Sequence, residues 1–179
     1  MKKLQHLILS GVALSLSGII MLASESISIS STRILVPSLI IASGIFAILF
    51  ANANTNSESK RPIQYLIFQG GIFVLFGLLC AFGAKNLTQF LSYATYFVLF
   101  TSLLDIILGF AIVNSDFKWT WGILTFKFIG GLMGLIGGVA ILATSVTNQY
   151  SGLYITGIVI ILMGIGTIIF ATKINKVPA

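Results

Sequence analysis

Asp105 and Lys127 are the two charged residues that fall well inside long apolar stretches of this 179-residue chain. A charge at bilayer depth costs about 2.5 to 3.5 kcal/mol on insertion scales, so each needs a partner or water. Their spacing supplies one, because Asp105 stands 11 residues before Asp116 and Lys127 stands 11 after it. In an antiparallel helical pair joined near Asp116, both side chains reach the same depth, about 13 Å from the interface. The expectation is an intramembrane ion pair, in which opposite charges compensate in low dielectric without having to stabilise the fold relative to apolar residues. Gln69 falls at a similar depth on another apolar stretch, and Thr101 lies one turn before Asp105, so both are candidate hydrogen-bonding neighbours. The group reads either as a buried polar staple that fixes helix packing or as a proton or solute site. Lys127 also has the option of extending its aliphatic stem toward the water.

Other chemistry is sparse. The single histidine, His6, reads as an interfacial polar residue with pH sensing as the alternative, and the single cysteine, Cys80, as a small packed hydrophobe. One His, one Cys and four carboxylates assemble neither a metal cluster nor a Cys and His pair. No serine has an identifiable base, and no glycine-rich phosphate loop follows a strand. The expectation is a non-enzymatic protein without cofactor or metal. Asn86-Leu87-Thr88 matches a glycosylation sequon, which matters only in a eukaryotic secretory route.

The elements that must position these residues follow from composition. The chain is 57% hydrophobic and 8% charged, against roughly 25% charged for a globular domain, too few to build a water-facing surface. Apolar blocks of about 20 residues match the thickness of a bilayer, and such runs favour helices over a barrel, whose strands alternate over about 10 residues. Six spans are expected, roughly Leu7 to Ala23, Ile34 to Ala53, Ile63 to Gly83, Phe90 to Val113, Trp119 to Thr144 and Gly152 to Thr172. Short polar connections join them, with Arg33 in the first and Pro37 and Pro62 near helix starts, where a missing N–H is harmless. The fold class is therefore all-α, a polytopic membrane protein forming one transmembrane domain over residues 1–179.

Met1-Lys2-Lys3 before an apolar run imitates a signal peptide, and Leu22-Ala23-Ser24 passes for a cleavage site. The length of the run and the second span directly after it favour a retained helix. Lys2, Lys3, Lys60, Arg61, Lys118, Lys173 and Lys176 fall on one side, with Arg33 and Lys85 on the other, which puts both termini in the cytoplasm. Trp119 and Trp121 would mark the cytoplasmic aromatic belt, and Tyr150 and Tyr154 the outer one. The basic residues are scattered, with no basic run or aromatic-interleaved patch that would suit nucleic acid.

Sliding the chain against itself by 59 residues and then by 61 aligns Gly11 and Gly18 with Gly70 and Gly77 and with Gly131 and Gly138. The same shifts align Gly44 with Leu103 and Gly164, and set Asp105 and Lys127 outside the shared pattern, opposite Phe46 and Gly166 and opposite Leu66 and Leu7. Three two-helix hairpins are read, at about 1–60, 61–118 and 119–179, inserted alike around a pseudo-threefold axis along the membrane normal. The repeat also argues for retention of the first helix. Lipid tails are as apolar as leucine, so helices associate through small residues at four-residue spacing. Gly130, Gly134 and Gly138 form such a ridge on the fifth span, and Gly11 with Ser15 a weaker one on the first, facing either their own chain or a second copy in a homo-oligomer.

This unit, a helix with spaced glycines, a short polar loop and a second helix ending near basic residues, resembles the repeat of the HdeD-like acid-resistance membrane proteins of bacteria. The resemblance rests on Gly11, Gly18, Gly70, Gly77, Gly131 and Gly138, with only Pro37 near the proline that often follows the first helix of that repeat. It implies a multi-pass inner-membrane protein tied to envelope or acid stress through packing or partner contacts. The competing expectation is a small transporter or channel with a polar path at Asp105, Lys127 and Gln69.

Overall fold

The computed structural model describes residues 2–54, 60–113 and 121–174. They fold as α1 (Lys2–Leu22), a short α2 (Ser24–Ile27), α3 (Ile29–Ala53), α4 (Lys60–Leu78) running into a π-helical turn (Leu79–Gly83), α5 (Leu87–Val113), α6 (Trp121–Thr147) and α7 (Gln149–Ile174). Six of these are long and apolar enough to cross a membrane. Helices satisfy their backbone groups internally, as hydrocarbon requires. The chain is a multi-pass integral membrane protein.

Most helices extend a turn beyond the apolar blocks, because helical geometry continues into the interfacial residues. The largest difference is at the first connection. The serine-rich stretch expected as a loop is helical on both sides of Ser28, whose left-handed backbone (φ 97°) separates α2 from α3. The Ser28 side chain then caps α3 by accepting from the Ser31 N–H at 3.3 Å. Arg33 consequently sits in a helix rather than in a loop. Pro37 falls in the third turn of α3, not near its start, and is buried. Its missing N–H costs α3 one interior hydrogen bond, at the Arg33 carbonyl.

The six spans close into a ring in chain order: α1, α3, α4, α5, α6 and α7, with α7 returning against α1 and α5 also touching α7. Every span contributes large, fully buried side chains, among them Leu14 of α1, Ile40 of α3, Phe73 of α4, Phe97 of α5, Ile141 of α6 and Phe170 of α7. A larger core cluster fills most of the bundle, and a smaller one, with Leu7, Phe50, Leu66, Leu108 and Phe170, fills the end that holds the termini. The outer surface is apolar too: Phe82 is 85% exposed, and Ile34, Phe68 and Ile136 stand out similarly. In water this would be a liability, but in lipid it is the expected exterior.

Candidate functional site: an intramembrane ion pair beside glycine seams

Lys127 of α6 donates from Nζ to Asp105 Oδ1 of α5 at 2.7 Å, deep in the spans. Among the described residues this is the one ion pair. The Lys127 side chain is 5% exposed and that of Asp105 15%, so the ammonium does not reach for the interface. Gln69 of α4 donates to the same Oδ1 at 3.5 Å, the long limit of a hydrogen bond. On the far side, Lys127 Nζ lies 4.8 Å from the centre of the Phe170 ring of α7, within cation–π range. Four helices thus surround one charge pair. Thr101 does not join it, because its hydroxyl donates to the Phe97 carbonyl of its own helix at 2.8 Å.

Other buried hydroxyls behave like Thr101. Thr95, Ser102, Thr156 and Thr167 each donate to a carbonyl four residues back. Side chains so engaged present little polarity to the bundle interior. Ser43 is an exception: it donates across to the Ser10 carbonyl at 2.9 Å, and the two hydroxyls lie 3.0 Å apart, tying α1 to α3. Cys80 is buried in the larger core cluster, and buried His6 Nδ1 has no partner among the described residues.

The glycines form three seams, between α1 and α7, α3 and α4, and α5 and α6, and their contacts follow one pattern. A Cβ on Gly11 would meet the Gly164 carbonyl at 2.7 Å and Ile168 at 2.6 Å; on Gly70, the Gly44 carbonyl at 2.7 Å and Ile48 at 2.7 Å; on Gly131, the Ser102 carbonyl at 2.8 Å and Ile106 at 2.6 Å. Seven residues on, Gly18, Gly77 and Gly138 are closed off by Ile161, Ile41 and Leu99. Gly134 faces Ser102 in the α5–α6 seam. Glycine lets these backbones approach to distances that any side chain would prevent. Gly130 is different from the ridge expected of it: a Cβ there meets nothing within 4 Å, so the α6 ridge toward α5 runs through Gly131, Gly134 and Gly138.

On α5 the carbonyl that meets a seam glycine is that of Ser102, as those of Gly44 on α3 and Gly164 on α7 meet theirs in the other two seams. Lys127 is buried, as are Leu7 and Leu66. Lys118, Asp116, Trp119 and Lys176 lie outside the described residues, as does the side chain of Trp121.

No protein-family model, no curated protein and no solved structure matches this chain.

Proposed function

We propose that this is a non-enzymatic integral membrane protein of the HdeD-like kind, built as three hairpins around a pseudo-threefold axis, serving envelope or acid-stress response through packing and partner contacts. The observation that carries this reading is the contact pattern repeated at Gly11, Gly70 and Gly131, since matched seams support one duplicated unit whose conserved geometry is packing. The buried hydroxyls bonded to their own helices support a closed interior. In this reading both termini face the cytoplasm from the inner membrane, as the basic residues favour. A homo-oligomer would use the open Gly71, because the seam glycines already face their own chain and Gly130 lines the cavity.

A second reading, a small transporter or channel using Asp105, Lys127 and Gln69, is favoured by a cavity of about 230 Å³ that both charges line. Proteoliposomes loaded with a pH-sensitive dye separate the two. The packing reading expects no proton flux from the native protein or from Asp105→Asn; flux in the native protein that Asp105→Asn abolishes would replace it with transport. Reporter fusions at the C-terminus test the orientation.

A further inference from the structure

The cavity beside the ion pair lies between α6 and α7, in the third hairpin, and has a built-in counterpart in the second. Between α4 and α5 the corresponding space is filled by four phenylalanines: Phe73 and Phe97 at 5.1 Å between ring centres, Phe76 and Phe97 at 6.3 Å, and Phe76 and Phe100 at 5.6 Å. The seam contacts fix the correspondence, which rests on the hairpin-repeat reading. Gly70 to Gly131 is a step of 61, and Ser102 to Gly164 a step of 62. Those steps carry Phe73 and Phe76 to Gly134 and Gly137, and Phe97 and Phe100 to Val159 and Leu162. All four replacements line the cavity. Where one hairpin packs aromatic rings, the other leaves about 230 Å³ open. An apolar cavity of about 150 Å³ suffices for benzene, so this one has room for one or two fused rings.

The polar end sets the chemistry of the occupant. Asp105 Oδ1 accepts from both Lys127 and Gln69, and Oδ2 has no hydrogen bond among the described residues. Of the pair, Asp105 is the more exposed side chain. The cavity therefore presents an acceptor. Lys127 already balances the carboxylate, so a charged ligand arriving through hydrocarbon would bring a charge with no counter-ion. The cavity rim includes Ile136 and Leu162, both well exposed on the lipid-facing surface. We propose that the α6–α7 cleft binds an uncharged aromatic alcohol from the membrane, a phenol of one or two rings, with its rings in the space of the missing phenylalanines and its hydroxyl donating to Asp105.

The test is retention of labelled 2-naphthol by the full-length protein in lipid nanodiscs, measured by equilibrium dialysis against empty nanodiscs. The expected result is saturable retention near one per chain, with naphthalene, which lacks the hydroxyl, held at least about tenfold more weakly because it brings no donor to Asp105 Oδ2. Gly130→Phe should abolish the saturable part. Gly130 lines the cavity and a Cβ there meets nothing within 4 Å, so a phenyl ring at this position has room in the cavity without displacing backbone. Gly71→Phe, equally open but on α4, should leave retention unchanged. Retention no greater than that of empty nanodiscs, or saturable retention untouched by Gly130→Phe, overturns the site. Naphthalene bound as tightly as 2-naphthol overturns the assigned role of Asp105. Proton flux in liposomes is a separate readout, so failure here leaves the functional reading standing, and the reverse.

Discussion

Gly18 and Gly157 each turn their missing side chain toward the other's carbonyl oxygen. A Cβ on Gly18 would stand 2.5 Å from the Gly157 oxygen, and one on Gly157 2.8 Å from the Gly18 oxygen. Backbone, unlike the tip of a side chain, cannot move aside alone, so α1 and α7 must separate to admit a methyl. Gly18→Ala is expected to destabilise the protein by about 1 to 3 kcal/mol, the usual cost of overpacking. Gly130→Ala, where a Cβ meets open space, should cost nothing and gain a few tenths through helix propensity. Reversible unfolding in mixed micelles measures both, and equal effects of the two would show that the seam does not hold α1 against α7.

The ion pair makes a prediction of unequal damage. Lys127→Met leaves Asp105 buried with only a long contact to Gln69, and breaking a buried pair this way costs about 3 to 5 kcal/mol. The partial exposure of Asp105 sets the expectation at the lower end. Asp105→Asn combined with Lys127→Met removes both charges and should be milder than Lys127→Met alone. The same unfolding assay gives the coupling. A double variant as damaged as the single one would sink the pairing.

The Asp105–Lys127 pairing was legible because two helices separated by only a few residues of sequence must place residues equidistant from the connection at the same height. Thr101 was misplaced because spacing cannot tell that a hydroxyl in a helix satisfies its own carbonyl. The glycine steps disclosed that helices approach closely but not which ones. Glycine marks a bare face, and only the closed ring reveals that the bare faces of α1, α4 and α6 meet α7, α3 and α5. The cavity was illegible too: Gly134, Gly137, Val159 and Leu162 are unremarkable apolar residues, and only their placement across α6 and α7 shows the open space between them.

Arg33 ties the end of the π-helical turn to α3, donating from its guanidinium to the Ala84 carbonyl. Ala84 is buried, so removing the donor leaves an acceptor poorly satisfied, at a cost of about 1 to 3 kcal/mol. Arg33→Met keeps the aliphatic stem and removes the donor. The expected outcome is faster amide hydrogen exchange at 84–87, with exchange in α6 little changed. Unaltered exchange at 84–87 would mean that Arg33 does not hold the turn.

Cys80 offers a direct reading of how tightly the larger core is closed. It is the chain's single cysteine, its residue is 2% exposed, and it packs with the core that includes Leu14, Phe76 and Ile141. A thiol so enclosed reacts only when the surrounding helices open, so its labelling rate follows the population of the open form. For a protein of ordinary stability, maleimide labelling in mild detergent should be at least about a thousandfold slower than in the denatured chain. Gly18→Ala should then accelerate labelling by the factor its destabilisation implies, about 5-fold to 150-fold for 1 to 3 kcal/mol. Gly130→Ala should leave the rate alone. If native Cys80 labels as fast as the denatured thiol, the core around α4 is open. If Gly18→Ala destabilises without changing the rate, Cys80 is exposed by a local opening that leaves the α1–α7 seam intact.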